Sequence, residues 1–506
     1  MLQIGKKLIS NTVYLFLDWL VLTSMGFLYW IIAGKTLLPE EYGIVSTSVN
    51  FAVVLGGLSF LGINVATWKL IPEYLEKKEI RKIKALIKFS LKIVIVSNVL
   101  LAIILTVLSW HLASALKVTV PVIWITVLII VVYSLATQIG SIIYGFQNMK
   151  KFFITDCYCQ LTRVATSTIL IFLGFRYFGP LIGLFLGFLI LTVLRLFSIP
   201  FKGKTEKIDQ RHIMFEYSLP AFIAGLAWIL FINGQYVLLT ILQNPEVTGI
   251  FTVAMIITSI IATVPAIMTN ALLPIISQLS ANYKANKKQS YLIKMVFRYA
   301  IFISLPISIF LVIFSRQVIL IFSRPEYLEA TQLFPVLALA AIVYGCGNVF
   351  LNNIYALGKP KVNRNIVIVT TTIFLLLAIP LTSKFSALGL SLAYLSAVTI
   401  LALLSYFFIK KYSKITLPWG SILKLVAASL ISLIFLYFIT SFTQGLFFGL
   451  IFAFISGLIY LSVLIPMKFY MMEDVRALEL VANKSPILRK QISCLAKFLS
   501  KHTHTL

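Results

Sequence analysis

Charged residues are scarce in this chain. Asp, Glu, Lys and Arg make up only 12% of its 506 residues, while 60% are hydrophobic and the mean hydropathy is +0.99. A soluble domain of that size carries far more charged surface, so the sequence reads as a polytopic membrane protein. Cysteine is also rare. Cys157, Cys159, Cys346 and Cys494 are the only four, and a single intervening residue between the close pair matches no zinc or redox motif. The four histidines, His111, His212, His502 and His504, fall at span ends, in loops or in the tail. They suggest neither a metal site nor an intramembrane histidine relay.

Acidic residues number 16 against 43 basic ones. In the segments read as outer loops they are Glu40, Glu41, Glu246, Glu326 and Glu329, all beside turn-like sequence. Membrane glycosyltransferases and polymerases need outward carboxylates or histidines on sizeable loops, and the outer loops here are short. There is no glycine-rich phosphate cradle and no soluble segment large enough to hydrolyse ATP. No catalytic constellation and no cofactor are expected.

What is present is apolar runs, almost end to end. A bilayer core of roughly 30 Å takes about 20 apolar residues per helix. On that rule the chain holds about fourteen spans, near 10–33, 43–66, 90–110, 121–145, 154–176, 180–199, 214–242, 248–277, 294–315, 331–357, 363–383, 386–409, 419–440 and 444–465. The first follows Lys6 and Lys7, is too long for a signal-peptide core and lacks a small-residue cleavage site. It reads as helix one.

Lysine and arginine placement orients the bundle. With the N-terminus inside, inner segments hold 35 of the 43 basic residues and outer ones hold six, Lys35, Lys117, Arg176, Arg316, Arg324 and Lys384. Both termini are therefore expected in the cytoplasm, as is a basic, partly amphipathic tail from Met472 to Leu499. The net charge of +27 is a topology signal beside an anionic leaflet, not a nucleic-acid footprint.

The chain also repeats itself. Pro39-Glu40-Glu41-Tyr42-Gly43-Ile44, a polar hinge between two apolar runs, returns as Pro245-Glu246-Val247-Thr248-Gly249-Ile250. Glu76-Lys77-Lys78-Glu79 is echoed by Asn286-Lys287-Lys288-Gln289, and Tyr144 to Lys150 by Tyr355 to Lys361. Six spans, an even number, separate each pair, so the halves share one orientation. That predicts two parallel six-helix lobes, 1–213 and 214–414, around a cleft. Two extra spans in 415–466 and a tail over 467–506 follow. Two lobes without a fuel site read as a secondary transporter.

Polar groups inside the spans are the candidate site, since each charge there costs about 2.5–3.5 kcal/mol on insertion scales. Asp156, Gln160 and Arg163 lie on one face of span five. Arg163 is the candidate cation for an anionic head group, because its planar fork binds phosphate oxygens in pairs. The alternative is that it pairs with Asp156 or Asp18 to fix packing. Arg195, near the inner end of span six, is a second candidate, or else snorkels to the interface. Asp18 and Asp156 are candidates for H+ or Na+ coupling, or packing partners. Asn50, Asn64, Asn233, Gln235 and Asn270 are candidate contacts for sugar hydroxyls, or helix ties. The Gly179, Gly183, Gly187 stripe predicts close helix packing, and Pro220, Pro265, Pro274 and Pro306 are expected to interrupt spans seven to nine.

These residues resemble a family. Leu38 to Gly43, Tyr217-Ser218-Leu219-Pro220, Gly249-Ile250-Phe251 with Ala254, Glu326-Tyr327 with Ala330, and Ala356 to Lys361 are similar, in order, to motifs of the Wzx-like polysaccharide and lipid-linked oligosaccharide flippases. Those belong to the multidrug/oligosaccharidyl-lipid/polysaccharide exporter superfamily. The resemblance covers nearly the whole chain. It implies an all-α, MATE-like fold of about fourteen transmembrane helices with alternating access. It also implies a polyprenyl-diphosphate-linked or dolichyl-linked saccharide as cargo, moved across the plasma or inner membrane. Polymerases or glycosyltransferases of one pathway would be partners. Spans two and eight carry no arginine and span seven has Asn233-Gly234-Gln235 where an acid is usual, leaving Arg163 as the main embedded cation. The rival readings are a multidrug antiporter of the same superfamily and a cell-wall lipid-precursor flippase.

Overall fold

The computed structural model describes residues 2–199, 203–280, 286–440 and 446–472, with the isolated positions 474, 475, 479 and 497. Most of the expected amphipathic tail, Cys494, His502 and His504 lie outside the described residues.

The described residues are almost all helical. In order the α-helices are α1 (Leu2–Thr36), α2 (Pro39–Ser59), α3 (Ile63–Glu76), α4 (Ile80–Val107), α5 (Ser109–Ala115), α6 (Val120–Gly145), α7 (Met149–Leu170), α8 (Phe178–Leu196) and α9 (Gln210–His212). They continue as α10 (Leu219–Leu242), α11 (Pro245–Ser280), α12 (Asn286–Ile313), α13 (Ser315–Phe322), α14 (Phe334–Ala356), α15 (Pro360–Ser413), α16 (Trp419–Thr440) and α17 (Leu446–Val463). Among the described residues twelve helices are long and apolar enough to cross a membrane. One of them, α15, breaks at Ser386 (φ 52°, ψ −135°) and holds the two expected spans 363–383 and 386–409. A shorter apolar helix, Ile451–Val463, lies where the fourteenth was expected.

Three local expectations change. The Pro39 and Pro245 stretches are helix starts rather than hinges. Proline fits the first helical position because its missing N–H has no partner there anyway, and the Leu38 N–H is capped by Glu41 Oε2 at 3.1 Å. The second span ends at Ser59, because Leu61 and Gly62 take positive φ (48° and 75°). Asn64, expected within the second span, therefore belongs to a separate helix, α3, which runs on into what was expected to be a loop. Finally, α11 and α12 run on through Pro265, Pro274 and Pro306, and Pro220 sits in the first turn of α10.

The residues form two compact units. The first takes 1–256, 319–333 and 364–397. In it α7 lies against α8 and α1, α6 against α8 and α4, and α2 against α10. Isoleucines and leucines of α3, α4 and α6, among them Ile71, Leu86 and Ile142, form a buried cluster in it. The second takes 257–318, 334–363 and 398–506. In it α12 packs on α14 and α16, with Phe297 stacked on Phe350 at 4.7 Å. Segments of α11 and α15 fall in both.

Candidate functional site

Small residues let the site form. Gly179, Gly183 and Gly187 repeat every four residues on one side of α8, and that side meets α7. A Cβ on Gly183 would overlap Ser167 Oγ and stand 2.8 Å from the Ser167 nitrogen. One on Gly187 would stand 3.0 Å from the Cys159 carbonyl and 3.1 Å from Arg163 Cβ. The stripe brings the two backbones together, as expected, and sets the depth at which α7 presents its polar face.

That face carries two arginine arrangements of opposite character. At one level Arg195 of α8 is buried, 4% exposed, and fully engaged. Its Nη2 reaches Asp156 Oδ2 at 2.6 Å, Nη1 donates to the Ala136 carbonyl at 3.0 Å, and Nε donates to Thr155 Oγ1 at 3.3 Å. The guanidinium lies 4.4 Å from the Phe152 ring centre. Gly140 makes the space, since a Cβ there would come 2.5 Å from Nη1. Arg195 therefore does not snorkel. Its interactions give a buried charge the pairing and hydrogen bonds it requires.

Asp18 of α1 lies beside this pair. It is buried, its Oδ1 accepts no hydrogen bond, and it is close enough to Asp156 to share one when either carboxyl is protonated. Two carboxyls against one guanidinium leave the cluster one negative charge in excess unless a proton or a cation enters. The structure brings together the two acids that sequence spacing alone had not joined.

Two turns further along α7, Arg163 is different. It pairs with neither Asp156 nor Asp18. Its guanidinium stands 4.7 Å from the ring centre of Tyr29 on α1, and Nη2 lies 3.7 Å from where a Gly26 Cβ would be. Nε and Nη2 are enclosed and have no acceptor among the described residues. Tyr29 is held in place by its hydroxyl, which donates to the Pro180 carbonyl at 3.2 Å. The arrangement supplies an embedded cation with unused donors, able to accept an anionic group. Tyr29 had no sequence signal, being one of 22 tyrosines.

The amide candidates are scattered. Asn50 is spent on its own helix, donating to the Ser46 carbonyl at 2.8 Å. Asn233 donates to the Ile229 carbonyl at 3.4 Å, and Gln235, fully buried, to that of Ile232 at 2.8 Å, leaving its Oε1 unbonded. Asn64 is half-buried on α3. Asn270 is exposed and lies in the second unit.

The second unit has its own buried ion pair. Arg298 was counted with the loop lysines but is 3% exposed on α12. Its Nη2 bonds both oxygens of Asp474, at 2.7 and 2.6 Å, and its guanidinium lies 4.9 Å from the Phe469 ring centre.

Comparisons with known proteins agree with this picture. The chain is 20% identical over 497 residues to an uncharacterized membrane protein of Methanocaldococcus jannaschii, MJ1068, covering 91% of this chain and 94% of that one. Among solved structures, the lipid II flippase MurJ in an inward closed conformation superposes with a TM-score of 0.71. The match has 19% identity and covers 90% of this chain and 98% of MurJ. An inward-facing multidrug resistance MATE family transporter of the MOP superfamily superposes at 0.62, with 13% identity over 80% of this chain and 98% of that one. At these identities the likeness establishes the fold. Residues 8–280, more than half the sequence, match the family described as polysaccharide biosynthesis protein, and the chain belongs to that family.

Proposed function

We propose that this protein is a flippase for a polyprenyl-diphosphate-linked or dolichyl-linked oligosaccharide or polysaccharide repeat unit. It moves this cargo from the cytoplasmic to the outer leaflet by alternating access of two lobes, 1–213 and 214–414. The observation that carries the reading is Arg163, an embedded guanidinium with two enclosed donors that have no acceptor among the described residues. A diphosphate is the group whose oxygens match that fork. A diphosphate with sugars attached cannot cross hydrocarbon unsatisfied, so a polar path is required while the prenyl tail stays in lipid. Family membership supports polysaccharide precursors as the cargo class, and the fold shared with MurJ supports a lipid-linked one.

Coupling is assigned to Asp18 and Asp156. With Arg195 already occupying the cation position beside Asp156, a proton on the pair of carboxyls is a better fit than Na+. The protein would sit in the plasma or inner membrane with both termini cytoplasmic. Polymerases and glycosyltransferases that make and consume the same carrier lipid are the expected partners.

The test is mass spectrometry of polyprenyl-linked lipids from cells lacking the protein, complemented with wild type or with Arg163→Ala. One lipid-linked glycan is expected to accumulate, to clear with wild type and to persist with Arg163→Ala inserted at normal level. No accumulation, together with new sensitivity to cationic drugs, would favour a multidrug antiporter.

A further inference from the structure

The buried pair of Arg298 and Asp474 takes no part in the site above, and it uses only one corner of the guanidinium. Both Asp474 oxygens bond Nη2. The carboxylate is otherwise occupied, with the Tyr299 hydroxyl donating to Oδ1 and the Met471 N–H to Oδ2 at 2.8 Å. Arg298 Nε and Nη1 are enclosed and have no acceptor among the described residues. The rings of Tyr299 and Phe469, each centred 4.9 Å from the guanidinium, hold it in place. Enclosed donors on a charged group are costly unless something accepts from them.

Beside the pair lies a cavity of about 40 Å³, lined by Tyr291, Lys294 and Arg298 of α12, by Pro418, and by Met471 and Asp474. All of these belong to the second unit. The three α12 residues fall at i, i+3 and i+7, on one face of the helix. One ordered water needs roughly 10–15 Å³, so the space exceeds a single water.

The charge around it does not balance. Lys294 Nζ donates to Thr416 Oγ1 at 3.1 Å and has no carboxylate partner among the described residues. Arg298 and Lys294 against Asp474 leave one positive charge in excess. Pro418 directly precedes α16, a helix of 22 residues, so the positive end of that helix dipole borders the cavity as well. Water satisfies N–H groups but not this charge.

Depth narrows the ligand. Trp419, 64% exposed at the first position of α16, has the place of an interfacial tryptophan. Lys287 and Lys288 open α12 and Lys410 and Lys411 close α15, and the lysine and arginine pattern puts these ends on the inner side. A basic cavity between spans at that level suits a lipid phosphate.

We propose that this cavity binds a phosphate group, carried by an anionic glycerophospholipid of the inner leaflet or present as the free anion, with Arg298 Nε and Nη1 and the Lys294 ammonium as donors. The inference is independent of the cargo reading and of Arg163. Because Met471 and Asp474 line the same cavity, the occupant also ties the segment that follows α17 to α12.

The experiment uses the full chain, purified in dodecyl maltoside and stripped of lipid. The probes are dioleoyl phosphatidylglycerol, dioleoylglycerol with the same chains and no phosphate, and inorganic phosphate. Saturable binding is read by native mass spectrometry, and anchoring of the segment by limited proteolysis near residue 470. Phosphatidylglycerol is expected to bind and to slow cleavage, and dioleoylglycerol to do neither. Lys294→Gln, which leaves the Arg298–Asp474 pair in place, is expected to weaken that binding at least about tenfold, the scale of one charge-assisted hydrogen bond. Arg298→Met/Asp474→Leu removes the buried pair as a whole, which folded proteins tolerate, and is expected to abolish it.

Protection by inorganic phosphate that is lost in Lys294→Gln would support the site and identify the free anion as its occupant. Protection by the lipid alone would identify the head group. Equal binding of phosphatidylglycerol by wild type and Lys294→Gln, or an equal effect of dioleoylglycerol, would overturn the proposal and leave a hydrated joint. Should the double variant not fold, Lys294→Gln decides by itself.

Discussion

Arg163 and Arg195 lie on neighbouring helices of one bundle and are expected to fail in opposite ways. Arg195→Met removes the 2.6 Å pair with Asp156 and the bonds to Ala136 and Thr155, leaving Asp156 and Asp18 as two unpaired buried carboxyls. Breaking a buried pair from one side costs about 3–5 kcal/mol. Removing both ends, Arg195→Met/Asp156→Leu, is expected to recover most of that loss, because an apolar replacement of a whole pair is often neutral or better.

For Arg163 the balance is different. Its visible gain is the stack on Tyr29, worth about 0.5–2 kcal/mol. Against this stand two enclosed donors without acceptors, each costing about 1–3 kcal/mol. Arg163→Met is therefore expected to leave stability within about 1 kcal/mol of wild type and to abolish transport. The assay is thermal unfolding of the purified chains in one detergent, followed by size-exclusion recovery, beside export of the lipid-linked glycan in cells. Equal destabilisation by the two single variants would refute the reasoning, as would a double variant no more stable than Arg195→Met.

Three further outcomes follow from the same geometry. Asp18→Asn fixes one carboxyl in the neutral form, so export driven by a pH gradient is expected to be lost while exchange across vesicles without a gradient persists; retained gradient-driven export would remove Asp18 from coupling. Gly183→Leu forces α8 away from the Ser167 backbone and is expected to cost about 1–3 kcal/mol, read as lower unfolding temperature, with Gly225→Ala, whose Cβ meets nothing within 4 Å, as a neutral control. Asp474→Asn is expected to destabilise the second unit by weakening its contact with Arg298, and limited proteolysis near residue 470 should accelerate; unchanged cleavage would show that the pair does not anchor this segment.

Several local features were legible because they are set by nearest neighbours and by solvent. Apolar runs must be helical in a bilayer, where every backbone group needs an internal partner, and the helices follow the hydropathy closely. The glycine stripe on α8 was legible for a similar reason, since a small residue every fourth position has one geometric use. The break at Leu61 and Gly62 was not, because it is buried in an apolar run and is made by two backbone torsions. Nor was the burial of Arg298, which sits among loop-like lysines in sequence and is drawn in by a carboxylate 176 residues away.

By itself the sequence determined the solvent, the helices, the duplication and four of the embedded charges, Asp18, Asp156, Arg163 and Arg195, since composition and period are local properties. Only the tertiary structure decided what each charge does. Asp156 lies seven residues from Arg163 and 39 from Arg195, and spacing favours the first as its partner. The close approach of α7 and α8, set by missing side chains, gives Asp156 to Arg195 and leaves Arg163 facing Tyr29. The two Pro-Glu-x-x-Gly-Ile copies were likewise visible as a repeat. That their glycines, Gly43 and Gly249, touch depends on helix packing across about two hundred residues, which no local pattern encodes.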